Sequence, residues 1–460
     1  MMMRTWAVLA VASVIAPGRA AIADSPSDWL ATEGKSAEWI KATAACRDML
    51  NRLLGRGALV RTHLPNVRRY ADMLRRTDGF NWKSVTAVEF LQNMQADLLA
   101  GAEPSRRYAG SQLAFPYWSE TMQRIEAIWV HVPVGYDPAK QHQLFIYYKS
   151  GGGIHYRDGK AHGGYRPSAE VANRTGTFHA WSSLNIQVKG RMGVERELAE
   201  APAALAREFS IDPDRVFLSG WSDGGFTAVW LASRWPHLVA GIAPLCANWQ
   251  YSNVNDVGLC NVPMLCVDGW GDGGYNASQF RRWHALKTMG CDVAGLWGHH
   301  GHSYKPYEDV DEFRRIMAWA KTRRRDPWPR RVRYATWNLT WHRAYWLSIE
   351  RMVEPWLAAR IDARVSDDNR IEVLAWNVAA YRLRLSEKLA DPKRPLTVVT
   401  NGEPSYTGPF RRDLLVEVVK LPRGAFAKSA EMPGGIAAQI ERSTYQADPG
   451  GGLRIPSRRW

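Results

Sequence analysis

The chain has 460 residues, which is too long for one compact domain and predicts two or three folded units. Hydrophobic residues make up 46% of the chain and charged residues 23%, proportions that exclude a largely disordered protein, a collagen-like fibre and a protein with many membrane spans. The formal net charge of +15 is by itself too weak a signal to predict a nucleic-acid partner, and we expect none.

The first 23 residues have the pattern of a secretory signal peptide. Arg4 precedes an apolar run from residue 6 to residue 16, and Ala21 and Ala23 supply the small residues of a cleavage site. A membrane anchor is the alternative, but the run is shorter than the ~20 residues that a span requires. We therefore expect cleavage after Ala23, no integral membrane segment in the mature chain, and a periplasmic or secreted product.

Residues 24–115 are predicted to form an N-terminal helical segment, because apolar residues recur there at steps of three and four, most clearly over residues 87–99. No group of side chains in this segment suggests chemistry. Over residues 116–325, short apolar runs typical of strands, such as 144–148 and 263–267, alternate with helical stretches. That alternation predicts an α/β domain with a mostly parallel sheet flanked by helices.

A basic stretch with two prolines at residues 323–331 marks the next boundary, and we expect a solvated linker there. Residues 326–425 then show short alternating runs separated by turn residues such as Asn369 and Asn401. This pattern predicts a C-terminal all-β, sandwich-like domain. Residues 426–460, rich in glycine and proline, are predicted to be a loosely held tail.

Four tryptophans of the β-rich region allow two interpretations. At strand spacing such rings usually fill a core, but exposed rings in a row can instead stack on sugar rings. Their exposure decides between the two for Trp337, Trp341, Trp346 and Trp376.

Five cysteines remain after removal of the predicted signal peptide: Cys46, Cys246, Cys260, Cys266 and Cys291. In an oxidising compartment an even number of them can pair, so at least one thiol is left over. Cys246 and Cys260 flank a predicted loop, and their pairing is one possibility. Cys266 lies inside an apolar run and is expected to pack as a small hydrophobic residue.

Residues 220–224 form a G-x-S-x-G motif with Ser222 at its centre. An apolar strand-like run precedes the motif, and residues 226–233, which can form a helix, follow it. A serine in a tight strand-to-helix turn needs glycines beside it because larger side chains would clash, and the helix N-terminus behind it favours developing negative charge. Ser222 is therefore the candidate nucleophile.

An acidic residue and then a histidine are expected to follow a serine of this kind along the chain. Asp272 lies in a loop after a buried strand-like run and is the candidate acid, with Asp268 as its rival. His302 lies in a histidine-rich loop after the next such run and is the candidate base, with His299 as its rival. In this arrangement the histidine accepts the serine proton, and the aspartate fixes the tautomer and steadies the imidazolium charge.

The histidines at positions 299, 300 and 302 also raise the possibility of a zinc site. Zinc needs further ligands, and neither a cysteine nor an HExxH motif lies near these histidines in the sequence. We therefore expect no metal ion and no cofactor.

Stabilising the oxyanion of a tetrahedral intermediate requires two backbone N–H donors. One is predicted to be the amide of Asp223, directly after the candidate nucleophile. The other is predicted to come from the glycine-rich loop that contains Gly152 and Gly153, where glycines let the backbone approach a substrate.

These features resemble the α/β-hydrolases, in the branch that contains secreted bacterial esterases, polyhydroxybutyrate-depolymerase-like enzymes and prolyl-oligopeptidase-type catalytic domains. Residues 324–402 are similar to the small β-rich domain that often trails such enzymes. This chain has Lys149 and Ser150 where relatives commonly have His-Gly. The resemblance is carried by residues 132–138, 151–153 and 220–224, by Asp272, and by Gly301 with His302.

The resemblance implies a secreted serine hydrolase that cleaves carboxylic esters through an acyl-enzyme intermediate. A serine peptidase of the same fold is the alternative, but the roughly 100 residues before the hydrolase region are too few for the propeller that prolyl oligopeptidases carry there. A non-catalytic binding protein of this fold is a third possibility. The expected partner is an ester or peptide substrate, and a glycan-linked substrate is one of the alternatives.

Overall fold

The computed structural model describes residues 29–418, apart from residues 54–55, 78, 149–154, 158–159, 163–168, 182–190 and 248–255. The predicted signal peptide and the predicted tail therefore lie outside the described residues. The chain divides into two compact units, one ending at Pro104 and the other beginning at Ser105.

The N-terminal unit is built from α1 (Ala37–Leu53), α2 (Ala58–Arg75) and α3 (Trp82–Leu99). Apolar residues at helical spacing bury one side of each helix, and α3 begins where the Asn81 side chain accepts the Lys83 N–H. The buried side chains include Trp39, Leu50, Val67, Leu74 and Leu91. None of the helices within the described residues is both long and apolar enough to cross a membrane.

The second unit contains an eight-stranded sheet in the order β1-β2-β6-β3-β7-β8-β9-β10, in which β2 alone runs antiparallel to its neighbours. The predicted boundary between residues 115 and 116 falls inside β1, so this sheet begins earlier than the sequence suggested. Between β3 and β6 in the chain, β4 and β5 form a separate two-stranded hairpin. The strands are β1 (Gln112–Ser119), β2 (Arg124–His131), β3 (His142–Tyr148), β4 (His155–Arg157), β5 (Lys160–His162), β6 (Phe178–Trp181), β7 (Ile211–Trp221), β8 (Gly241–Leu245), β9 (Met264–Gly269) and β10 (Val293–Gly298).

Both faces of this sheet are buried. Successive side chains of a strand point to opposite faces, yet Leu144, Phe145 and Ile146 of β3 are all fully buried. Continuous apolar runs of this kind are typical of parallel strands covered on both sides. The covering helices are α4 (Ala169–Thr175), α5 (Arg191–Glu208), α6 (Asp223–Arg234), α7 (Asp256–Leu259), α8 (Gly274–Thr288) and α9 (Val310–Lys321).

The remaining strands form a β-sandwich, which confirms the predicted C-terminal fold. One sheet has the order β11-β14-β15-β17-β18 and the other β12-β13-β16-β19, and their inner faces share one core. Asn369 and Asn401 adopt positive φ at the turns after β14 and β17. The strands are β11 (Arg331–Thr336), β12 (Arg343–Ala344), β13 (Leu347–Met352), β14 (Ala359–Val365), β15 (Arg370–Trp376), β16 (Val378–Arg384), β17 (Leu396–Thr400), β18 (Glu403–Gly408) and β19 (Asp413–Glu417).

The basic stretch before the sandwich is not the solvated linker that its charge suggested. The Arg325 guanidinium donates to Asp214 Oδ1 at 2.5 Å and also to the His237 carbonyl, and its backbone N–H donates to the Asp214 carbonyl. The charges are therefore neutralised against the turn that precedes the main part of β7, and the linker is fixed to the α/β domain.

Hydrogen bonds between side chains and backbone groups connect the sandwich directly to the α/β domain. The Asn261 carboxamide donates to the Arg333 carbonyl at 2.6 Å and accepts the Arg333 N–H at 3.0 Å. The Tyr345 hydroxyl donates to the Pro236 carbonyl, and the Tyr334 hydroxyl to the Arg234 carbonyl, both at 2.9 Å. These bonds join the two domains at fixed points.

One disulfide joins Cys260, after α7, to Cys291, before β10. The possible pairing of Cys246 with Cys260 is therefore wrong, because Cys246 is turned into the interior of the α/β domain as a free thiol. Cys266 is a buried free thiol within β9, as expected for a small hydrophobic residue.

Candidate active site

Ser222 lies on the sharp turn between β7 and α6, at the carboxyl end of an interior strand. Its backbone has φ +54° and ψ −120°, a conformation that non-glycine residues rarely adopt. The turn closes because two glycines meet: a Cβ on Gly220 would lie 2.4 Å from the Gly224 carbonyl carbon, and one on Gly225 would lie 2.7 Å from the Gly220 oxygen. The glycines thus hold the Ser222 side chain at the end of the sheet.

The structure brings Ser222, His302 and Asp272 together in one chain of hydrogen bonds. His302 Nε2 lies 3.0 Å from Ser222 Oγ, and His302 Nδ1 lies 3.0 Å from Asp272 Oδ1 and 3.1 Å from Oδ2. The Asp272 side chain is buried, whereas a third of the His302 side chain is exposed. The aspartate is therefore shielded from water behind the imidazole, and the serine side of the imidazole is open.

Neighbouring rings hold the imidazole in place. The Trp221 ring packs against His302 with centroids 4.9 Å apart, and Tyr304 packs against Trp221. Beneath them the buried Tyr307 hydroxyl forms a 2.7 Å hydrogen bond with Ser219 Oγ of β7. Aromatic packing and this hydrogen bond thus hold the loop that carries His302 in place next to Ser222.

Asp268 and His299, the alternative acid and base from the sequence, lie outside this chain of hydrogen bonds. The carboxylate of Asp268 lines a cavity between α8 and the sheet, where Oδ1 has no hydrogen-bond partner among the described residues. Burial there raises the pKa of Asp268 to about 7, and the nearby charge of Asp272 adds to the rise. His299 is exposed on the loop before His302. Only His302 and Asp272 therefore make the hydrogen bonds that reach Ser222.

Sequence reasoning missed Cys246, which follows β8 directly. Its sulfur, one Asp272 oxygen and one His302 ring nitrogen all lie within 4.8 Å of one another. The expectation that no cysteine lies near the histidines is thus wrong in three dimensions. Its position follows from the strand order, because the carboxyl ends of adjacent parallel strands meet at one edge of a sheet, and β8 lies between β7 and β9.

Of the predicted oxyanion donors, Asp223 is the first residue of α6, and its backbone N–H belongs to the helix N-terminus that follows Ser222. N–H groups of a first helical turn have no partner within the helix and carry partial positive charge. Gly152 and Gly153, the other predicted donors, lie outside the described residues.

The tryptophans of the sandwich divide between the two interpretations. Trp346 is fully buried and donates its indole N–H to the Pro329 carbonyl. Trp341 and Trp376 are partly covered by the guanidinium groups of Arg234 and Arg360. Trp337 is half exposed. The four rings therefore do not form one exposed row.

No protein-family model matches the sequence, and no curated protein matches it. Among solved structures, the chain is similar to a thermostable esterase, with 17% identity over 46% of this chain and 63% of that one and a TM-score of 0.36. It is also similar to the fluorophosphonate-binding serine hydrolase FphF of Staphylococcus aureus (13% identity, 46% and 98% covered, TM-score 0.34) and to dipeptidyl peptidase 4 of Porphyromonas gingivalis (13% identity, 50% and 37% covered, TM-score 0.38). This chain thus spans less than two thirds of the esterase.

TM-scores this low carry no argument, so the fold is identified from the structure of this chain itself. A mostly parallel eight-stranded sheet with helices on both faces carries a G-x-S-x-G serine on the turn between an interior strand and its helix. An aspartate and a histidine follow in chain order after β9 and β10. The chain has the α/β-hydrolase fold, with a β-sandwich attached to it.

Proposed function

We propose that the chain is a serine hydrolase that cleaves carboxylic esters, with Ser222 as nucleophile, His302 as general base and Asp272 as the acid that orients it. The observation that supports this most strongly is the unbroken hydrogen-bond chain from Asp272 through His302 to Ser222, on a strained turn that points the serine outward. Strain of this kind persists only where the surrounding structure holds it.

The geometry supports a two-step reaction. His302 Nε2 accepts the Ser222 proton as Oγ attacks the ester carbonyl. Asp272 accepts a hydrogen bond from Nδ1–H, which stabilises the imidazolium. The imidazolium then protonates the leaving alkoxide, which departs as the alcohol. Water attacks the acyl-enzyme by the same route in reverse, which releases the acid and restores Ser222.

The oxyanion of each tetrahedral intermediate would lie at the N-terminus of α6, where the Asp223 N–H donates to it. The partial positive charge at the start of a helix favours that charge, and loss of one such donor typically costs about 100–1,000-fold in rate. An ester is a less demanding substrate than an amide, because its carbonyl is less stabilised by resonance and an alkoxide leaves more readily than an amide anion.

We further propose that the protein works in the periplasm or outside the cell, after removal of residues 1–23. The Cys260–Cys291 disulfide supports this location, because structural disulfides persist in oxidising compartments. N-terminal sequencing of the protein recovered from the periplasm or medium would test the location, and a mature chain that begins at Asp24 is expected.

Labelling of the purified mature protein with a fluorophosphonate probe, located by mass spectrometry, tests the hydrolase assignment. We expect modification at Ser222, its loss in Ser222→Ala and a strongly reduced rate in His302→Ala. His299→Ala is the matched control on the same loop and should label like the wild type. A folded wild-type protein that does not label would contradict the proposal.

A panel of paired esters and amides with the same acyl groups then separates an esterase from a peptidase. We expect turnover of esters with far slower turnover of the matched amides. Comparable rates on peptide amides would replace the ester assignment with a peptidase.

A further inference from the structure

Three different metal-binding groups converge directly behind the imidazole of the proposed active site. The Cys246 sulfur, an Asp272 oxygen and a His302 ring nitrogen lie within 4.8 Å of one another. Two of the residues are nearly fully buried, while part of the His302 ring faces solvent.

The Cys246 sulfur is held in this position by its backbone. The residue has φ +47°, and its N–H donates to the Val267 carbonyl at 2.8 Å. Its sulfur lies 3.7 Å from the Ser303 carbonyl and 3.9 Å from the Gly301 carbonyl, the two residues that flank His302. The thiol thus belongs to the apolar core of the α/β domain and contacts the backbone on both sides of His302.

The chemical types of the three ligand groups indicate which metal the site favours. Thiolate, imidazole and carboxylate together suit zinc, whereas magnesium and calcium prefer oxygen ligands alone. Bonds of about 2.0–2.3 Å in a tetrahedral site place the ligand atoms roughly 3–4 Å apart. In the observed cluster the three ligand atoms lie within 4.8 Å of one another, so they must move closer together to bind the metal.

We propose that Cys246, Asp272 and His302 form a zinc-binding site, and that zinc bound there inhibits the hydrolase. The inference rests on the proposed roles of His302 and Asp272. On binding, the Cys246 thiol releases its proton to solvent and the thiolate bonds to the metal. The Nδ1 atom, 3.0 Å from Asp272 in the free site, gives up its proton to solvent and coordinates zinc, while Nε2 takes up a proton from solvent so that the imidazole stays neutral.

Inhibition follows from where the imidazole proton then lies. A neutral imidazole bound to metal through Nδ1 carries its proton on Nε2, the atom that must accept the Ser222 proton. Asp272, engaged by the metal, no longer orients the ring. The serine is left intact but without a base.

Cobalt(II) substitution tests the site without relying on activity. We expect the full-length protein to show the near-ultraviolet charge-transfer absorption of a cobalt–thiolate bond, with zinc displacing the cobalt. The band should vanish in Cys246→Ser. Cys46→Ser is the matched control, because Cys46 is equally buried, its sulfur lies 3.9 Å from the Val88 carbonyl, and it belongs to the other unit.

Zinc chloride titrations of ester hydrolysis, each normalised to the same variant's metal-free rate, test the inhibition. Half-inhibition should require at least about 100-fold more zinc in Cys246→Ser than in the wild type or Cys46→Ser. Loss of a residue that only hydrogen-bonds to a metal ligand already lowers metal affinity about 10–100-fold, and loss of a ligand should cost at least as much. Magnesium chloride should not inhibit.

Equal zinc sensitivity in Cys246→Ser and the wild type, or a cobalt–thiolate band that survives the substitution, would overturn the proposal. A cobalt band that depends on Cys246 in a protein whose Ser222 does not label would keep the site and refute the hydrolase instead.

Discussion

Asp268, near the end of β9, and Asp272, in the loop that follows it, have similar burial but different partners. Asp268 and Asp272 are 3% and 4% exposed, so burial does not distinguish them. Asp272 accepts from His302 through both oxygens, whereas Asp268 faces a cavity where burial raises its pKa to about 7. Spacing along the chain could not separate them, because both lie within four residues at one strand end. The hydrogen bond to His302 does.

Replacing each aspartate by the isosteric asparagine tests this distinction. Asp272→Asn should lower kcat on an ester substrate by about 10,000-fold, because asparagine stabilises the wrong imidazole tautomer. Asp268→Asn keeps the shape of the cavity and should retain a rate close to that of the wild type. Steady-state kinetics of the two variants would identify Asp268 as the acid if the order of the losses were reversed.

At the scale of elements, the junction of β7 with α6 depends on close backbone approach. A Cβ on Gly225 would lie 2.7 Å from the Gly220 oxygen and 2.9 Å from the Ala247 Cβ, contacts that a side chain cannot make. One of the two elements must then move, and Ser222 lies between them. The position of the nucleophile is therefore set by how closely α6 packs on β7 and β8.

We expect Gly225→Ala to destabilise the protein by about 1–3 kcal/mol, the usual cost of overpacking, and to slow fluorophosphonate labelling of Ser222. Gly135→Ala is the matched control, because an added Cβ there meets no atom within 4 Å. Thermal unfolding and labelling rates would be measured together. Wild-type labelling in Gly225→Ala would mean that the turn is less tightly constrained than its contacts indicate.

The Cys260–Cys291 disulfide ties the end of α7 to the start of β10, 31 residues apart. Cross-links of this kind stabilise mainly by restricting the unfolded chain, typically by about 2–4 kcal/mol. The double variant Cys260→Ser, Cys291→Ser should lose about that much in urea unfolding. Reductant should lower the midpoint of the wild type and leave that of the variant unchanged, and an equal response in both would show that the disulfide does not form.

Most elements could be predicted from the sequence where local signals agree. Over β14 (Ala359–Val365) the sequence alternates as the observed strand does, because every second residue is buried on one face. By contrast, β1 contains Pro116 and mixes burial without clean alternation, so the predicted boundary between residues 115 and 116 falls inside it. Neither the Cys260–Cys291 pair nor the approach of Cys246 to His302 could be predicted, because both depend on strand order.

For the molecule as a whole, the sandwich and the α/β domain are joined by specific polar contacts. Asn261 bonds the Arg333 backbone in both directions, and Arg325 pairs with Asp214. If the domains separate, water replaces these partners, so each hydrogen bond lost costs a net of about 0.5–1.5 kcal/mol. We therefore expect the sandwich and the α/β domain to unfold together.

Two histidines of the second unit, the buried His179 and the half-buried His237, make its stability sensitive to acid. Burial lowers the pKa of both His179 and His237 to about 3 from an ordinary value near 6.5. The nearby His131 acts in the same direction on His179, whose ring bonds the hydroxyls of Tyr147 and Thr175. Below pH 6.5 the unfolded chain binds protons that the folded chain does not, so stability falls on acidification.

Each histidine contributes about 1.4 kcal/mol per pH unit between pH 6.5 and 3. Asp268 acts in the opposite sense between about pH 4 and 7, because its folded pKa is raised rather than lowered, and so offsets one of the two. Urea unfolding followed by near-ultraviolet circular dichroism at pH 4.5, 5.5 and 6.5 should therefore show a net loss of stability toward acid. His179→Gln should reduce that slope by about 1.4 kcal/mol per pH unit whatever its effect at pH 6.5. His299→Gln, a substitution at an exposed position, should leave the slope unchanged, and parallel slopes for His179→Gln and the wild type would show that His179 does not cause the acid sensitivity.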